Sequence, residues 1–91
     1  MRRSRLDIVI DILEVAKEEV NKTGIVYRTN LNFLITEKYL ALLIEKGFLE
    51  KRGEKYASTD AGKAFLEKAR EIASLLSGNF LNSSSLSEIE P

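Results

Sequence analysis

The sequence predicts a mostly helical α+β domain, and three observations predict it. Apolar residues recur at helical spacing in three long stretches, 4–19, 33–46 and 60–76. Between the second and third, the period shortens to that of strands, around a central glycine, Gly53. The only proline is Pro91, so none interrupts these stretches. A chain of 91 residues is the size of one small domain.

The first helix is expected over Ser4–Glu19. Ser4 and Asp7 have the spacing of a capping box in which Asp takes the place of Glu. Leu6, Val9, Leu13, Ala16 and Val20 recur at helical spacing, and Ile8, Ile12 and Val15 widen the apolar arc. Asp7, Asp11, Glu14 and Glu18 occupy the opposite face. Like charges one turn apart repel, and a cation site needs ligands converging from a second element. This stripe therefore reads as a solvated face.

Asn21–Gly24 reads as a turn, with Thr23 capping a short segment over Gly24–Thr29. Its Ile25, Val26 and Tyr27 suit either a helix or a strand. Asn30-Leu31-Asn32 is a second turn, and Asn32 is a suitable N-cap. A helix then runs over Phe33–Lys46, with Phe33, Thr36, Leu40, Leu43 and Ile44 inward and Gly47 as the terminating glycine. Phe48–Lys51 and Lys55–Ser58 read as a two-stranded hairpin. Thr59 caps a last helix over Asp60–Leu76, whose spine is Ala61, Phe65, Ala69, Ile72 and Leu76. At 1.5 Å per residue it is roughly 26 Å long. Residues 79–91 are Ser-rich, acidic and aperiodic, and read as a flexible tail behind a domain of residues 1–78.

Composition narrows function. Lys+Arg and Asp+Glu both number 14, so binding to a polyanion by bulk charge is excluded and any nucleic-acid surface is a local patch. The absence of Cys and His removes disulfides, thiol catalysis, cysteine-ligated metals and the usual neutral-pH acid–base group. The expectation is a non-enzymatic protein without metal or cofactor. Arg2, Arg3 and Arg5 resemble the basic start of a leader, but Asp7, Asp11 and Glu14 break up the apolar run that a leader needs next. No stretch is apolar enough to span a membrane. A cytoplasmic location is expected.

Helix, short helix, turn, helix, hairpin, helix is the order of a winged helix-turn-helix. The segment LLIEKGFLEKRGEKYASTDAGKAFLEKA resembles the wing of many prokaryotic winged-helix regulators. There, a Lys-Gly helix end precedes an apolar strand, a charged tip and an aromatic strand. A Thr-x-x-Gly-x-x-x-Leu motif, here Thr59 to Leu66, then opens the last helix. Upstream, TGIVYRTNLNFLITEKYLALLIEKG resembles a small archaeal family that includes ten-kilodalton chromatin-associated DNA-binding proteins. The resemblance covers residues 4–77 and implies helix for residues 24–29. It implies double-stranded DNA as partner, in a transcriptional regulator or a chromatin-associated protein. It also implies a homodimer formed by antiparallel pairing of the last helix. That helix is longer in the family; here Gly78 and the polar tail cut it short.

Within such a fold the candidate phosphate contacts are Arg28, Asn30 and Asn32 around the helix-turn-helix turn, and Lys51, Arg52 and Lys55 in the wing. Arg2, Arg3 and Arg5 form a candidate basic arm. On the third helix only Lys38 is a conventional base reader, while Leu34 and Ile35 suit thymine methyl groups. The alternative for the apolar face of Leu34, Ile35 and Leu42 is a protein partner, in a winged-helix interaction module that does not bind DNA. Tyr56 is expected in the core, and Tyr27 packed with its hydroxyl at the surface. Ile72, Leu75 and Leu76 lie beyond the reach of a compact core and need a partner. With Ala69, and with Ile8 and Ile12 of the first helix, they form the candidate dimer interface. The alternative cover for that stripe is Phe80 or Leu81 of the tail.

Overall fold

A computed structural model of the chain describes residues 3–77. The first helix, α1 (Arg5–Val15), opens on the expected capping box. Ser4 Oγ accepts from the Asp7 N–H at 3.1 Å, and the Asp7 carboxylate accepts from the Ser4 N–H at 3.1 Å. The helix ends at the Ala16 cap, short of the predicted Glu19. Its final carbonyls have partners elsewhere in the fold. Ser58 donates its N–H to Ala16 O at 2.8 Å and its hydroxyl to Leu13 O at 2.9 Å. The chain then turns away to form β1 (Val20–Asn21).

Helix α2 (Lys22–Thr29) is capped by Asn21, not Thr23: Asn21 Oδ1 accepts from the Gly24 N–H at 2.7 Å. Asn30 closes it in the left-handed conformation at φ 61°, which Asn tolerates better than most residues. Helix wins over strand here because Ile25 faces the core while the buried Thr29 hydroxyl bonds back to Ile25 O.

Helix α3 (Phe33–Glu45) begins at Asn32, whose Oδ1 accepts from the Ile35 N–H at 2.7 Å. Thr36, Leu40 and Leu43 are buried as the spacing predicts. Phe33 and Ile44 are not: both are exposed. Phe33 opens the helix beyond the packed face, and Ile44 lies one residue round from Leu43, at its edge. Gly47 follows at φ 82°.

Strands β2 (Leu49–Arg52) and β3 (Lys55–Ser58) pair antiparallel with Leu49 opposite Ser58 and Arg52 opposite Lys55. β1 pairs with the other edge of β3, Val20 opposite Tyr56 and Asn21 opposite Lys55. The predicted two-stranded wing is therefore a three-stranded sheet of order β1-β3-β2. A two-residue strand carries no periodic signal, and Val20 fits the preceding helical pattern equally well.

Helix α4 (Asp60–Ser77) is seated by Thr59. Thr59 Oγ1 accepts from the Gly62 N–H at 3.0 Å and donates to Gly47 O at 2.6 Å. Gly62 has no alternative residue there, because a Cβ would overlap the Phe48 carbonyl oxygen. The Phe48 and Phe65 rings stack beside it at 4.6 Å. The core behind α3 and the sheet joins Ile12, Leu13, Ile25, Leu40, Leu43, Leu49, Tyr56 and Leu66. The tail assignment for 79–91, including Phe80 and Leu81, lies outside the described residues, as does Arg2. No described helix is long and apolar enough to cross a membrane.

Candidate functional site

The expected site residues fall on three surfaces. On α3, Leu34 is 71% exposed, and Ile35 and Leu42 are also open to solvent. Lys38 lies among them. With Arg5, Ile8, Ile35, Tyr39 and Leu42 it lines a groove of about 610 Å³ between α1 and α3. Cations at the rim and an apolar floor therefore meet along the outer side of this helix.

The turn before α3 is built differently from the expectation. Asn30 and Asn32 hold the backbone, one as a left-handed cap and one as an N-cap. The Asn32 side-chain oxygen already accepts from the Ile35 N–H. Arg28 sits exposed in the last turn of α2, where a cation complements the helix dipole. Tyr27 is 85% exposed, so it is a surface residue and not the packing residue expected. The residues nearest α3 also form an ion pair, Lys22 Nζ to Glu37 Oε2 at 2.7 Å. The hydrogen bond to Glu37 raises the Lys22 pKa above the ordinary lysine value, and the same bond lowers the Glu37 carboxyl below its usual range.

In the wing, strand alternation divides the side chains. Lys51 shares the inner face with Tyr56 and lies over its ring at 5.8 Å. Glu50, Arg52 and Lys55 belong to the outer face, as does Asn21 across β3. Arg52 reaches two carboxylates there. Its Nη1 donates to Glu19 Oε2 at 2.9 Å and its Nε to Glu50 Oε2 at 2.6 Å, with Nη2 also paired to Glu50. The Glu19 hydrogen bond, then that to Glu50, holds the guanidinium pKa above its ordinary value. Lys55 makes no ion pair among the described residues.

The basic arm is not free at its described end. Arg3 Nη1 lies back on α1 and pairs with Asp11 Oδ2 at 2.8 Å, while Arg5 opens the helix. Glu14, of the same acidic face, pairs with Arg70 at 2.8 Å and with Lys17 at 3.6 Å. No group of three or more His, Cys, Asp or Glu among the described residues is placed to hold a metal.

The candidate dimer residues divide. Ile72, Leu75 and Leu76 are each more than half exposed on the last turns of α4. Ala69 and Ile12 are instead buried within the chain's own fold, against the expectation that they serve an interface. Both sit where α4 crosses α1, so the chain itself covers them. Ile8 is half-buried in the α1–α3 groove. Sequence reasoning missed Lys22, Glu37 and Glu19, because each gains its role from a partner distant in sequence.

The fold and the arrangement of its helix-turn-helix and wing define a class, and the chain belongs to it. Residues 2–77 match the winged helix-turn-helix family model. The chain is 34% identical over 76 residues to the uncharacterized protein MJ0287 of the archaeon Methanocaldococcus jannaschii, covering 82% of this chain and 78% of that protein. It is 31% identical over 77 residues to the uncharacterized protein MJ0290 of the same organism, covering 84% of this chain but spanning only 36% of that protein. In structure it is similar to Sso10a-2, a DNA-binding protein from Sulfolobus solfataricus. The TM-score is 0.80 at 22% identity, over 98% of each chain.

Proposed function

We propose that this protein binds double-stranded DNA as a homodimer, without enzymatic activity or cofactor, as a transcriptional regulator or a chromatin-associated protein. The observation that carries the reading is the distribution of unpaired cations over a winged-helix frame. Among the described residues Arg28, Lys38, Lys51 and Lys55 make no ion pair. They stand on the end of α2, on α3 and on the hairpin, the elements a winged helix presents to a duplex. Phosphate is the ligand that rewards such a distribution. Leu34 and Ile35 lie exposed on α3, the helix that carries Lys38, and suit thymine methyl groups. The likeness to Sso10a-2, itself a DNA-binding protein, supports the same direction.

The second copy docks on Ile72, Leu75 and Leu76 of α4, whose exposure leaves an apolar stripe at the end of the helix. A symmetric pair presents two wings and two α3 helices to neighbouring half-sites.

The test is fluorescence anisotropy of a labelled mixed-sequence duplex, titrated at low and at physiological salt. Binding that weakens steeply with salt supports the phosphate-reading surface, and Arg28→Ala flattens the salt slope by about one unit. Absence of binding at low salt transfers the function to a second reading. This is a winged-helix interaction module that docks a protein on Leu34, Ile35 and Leu42, and the exposed apolar character of α3 favours it. In that case Leu34→Asp abolishes partner capture while the domain stays folded.

A further inference from the structure

We propose that Glu19 and Glu50 form a carboxylate clasp that holds the wing arginine, Arg52, away from DNA phosphate, and that duplex binding exchanges these carboxylates for phosphate oxygens. The inference rests on the DNA-binding reading and deepens it by assigning two acidic residues a role in setting affinity.

The geometry is specific. Arg52 is the last residue of β2, beside the Gly53 turn. Three of its nitrogens engage carboxylates: Nη1 reaches Glu19, and Nε and Nη2 both reach Glu50. Nε and Nη2 converge on one oxygen of Glu50, Oε2, and a phosphate oxygen can take that same place. One guanidinium cannot present the same edges to Glu50 and to phosphate at once. Lys55, directly opposite Arg52 on β3, and Lys51, over Tyr56, have no carboxylate partner among the described residues. Within one wing, then, two cations are available and the third is engaged.

The two carboxylates differ in origin. Glu50 is two residues from Arg52 on the same strand and follows it wherever the hairpin goes. Glu19 lies 33 residues away and is placed by β1, whose pairing with β3 brings the α1–α2 connection to the sheet. Releasing Arg52 to phosphate therefore also releases a tie between the wing and the helical body. All three side chains are about half exposed, so each pair is screened and readily exchanged, as a competition with phosphate requires.

The experiment is a set of anisotropy titrations on the full chain with the same labelled duplex. Wild type is compared with Glu19→Gln, Glu50→Gln, Glu54→Gln, Arg52→Ala and the double variants Glu19→Gln/Arg52→Ala and Glu50→Gln/Arg52→Ala. Glu54 is the control, an exposed acid at the wing tip that does not pair with Arg52. Glu19→Gln and Glu50→Gln should each tighten binding roughly 1.5- to 5-fold, the range expected for release of an exposed pair. Glu54→Gln should give a smaller gain, and the gains at 19 and 50 should vanish in the Arg52→Ala background. Equal gains from all three neutralisations, or gains that persist without Arg52, overturn the clasp while leaving DNA binding intact. Failure of the wild type and every variant to bind duplex overturns the DNA reading and the clasp with it. Thermal melts confirm that each variant is folded.

Discussion

Helices α3 and α4 both carry apolar residues into solvent, but they do so for different reasons. On α3, the exposed Leu34, Ile35 and Leu42 lie along a helix whose other side, Thr36, Leu40 and Leu43, is fully packed. Ile35 and Leu42 line a groove formed with α1, together with Lys38 and Arg5. On α4, exposure begins where packing stops. Leu66 and Ala69 are buried, whereas Ile72, Leu75 and Leu76, in the last two turns, are exposed. The first is the open side of a helix held along its length. The second is the end of a helix that has run beyond the body it packs against. An apolar side chain mixed with cations suits a polyanion with apolar base edges, whereas an unmixed stripe at a helix end suits another apolar stripe.

The largest effect expected on this comparison is at the seat of α4. Gly62→Ala drives a methyl into the Phe48 backbone and should cost about 3 kcal/mol, read in chemical denaturation. It would loosen α4 and leave the α3 surface chemistry unchanged. Next is the end of that helix. On the homodimer proposed above, Leu75→Glu with Leu76→Glu should shift sedimentation equilibrium to monomer, while the unfolding free energy of the single chain changes by only about 0.5 kcal/mol. A species that stays dimeric would remove α4 from the interface.

On α3 the effects are smaller and of opposite sign. The Thr36 hydroxyl is buried and has no hydrogen-bond partner among the described residues. Thr36→Val keeps the shape and removes the polar atom, so it should stabilise the fold by about 1 kcal/mol. Leu34→Asp should alter stability by no more than about 0.5 kcal/mol, because the side chain is open to solvent. A large loss of stability in that variant would place Leu34 in the core and break the comparison.

The smallest effect concerns the Lys22–Glu37 pair at the edge of α3. The hydrogen bond to Lys22 lowers the Glu37 carboxyl pKa in the folded state. Its contribution to stability is therefore present above the unfolded carboxylate pKa and is lost as pH falls through the lowered folded value. Lys22 is shifted upward by the same bond, so its contribution is complete at neutral pH and is lost as pH rises through its raised folded pKa. Because one bond causes both shifts, either Glu37→Gln or Lys22→Met should remove the small acid-limb component from the pH dependence of Tm and most of the alkaline one. Both groups are solvent-exposed, so salt should reduce the effect further.

Local pattern was enough to read the order of the four helices and the hairpin, and Thr36, Leu40 and Leu43 as the inner residues of α3. Capping boxes, helix N-caps and glycines at positive φ act within a few residues, and a local pattern is enough to read them. Asn32, Gly47, Thr59 and Gly62 all stand in the roles their neighbours imply. Ser4 likewise caps α1 with Asp7. Tertiary structure alone decided where α1 stops, since the partner of its last carbonyls is Ser58, more than forty residues on. It decided that Val20–Asn21 is a third strand, because two residues become a strand only when an edge is available to receive them. It also decided which cations are engaged. Arg52 and Lys55 look alike in the sequence, yet one is held by Glu19 and Glu50 and the other has no carboxylate partner among the described residues. Charge acts through space at a few ångströms, and the distance from residue 19 to residue 52 is set by the fold.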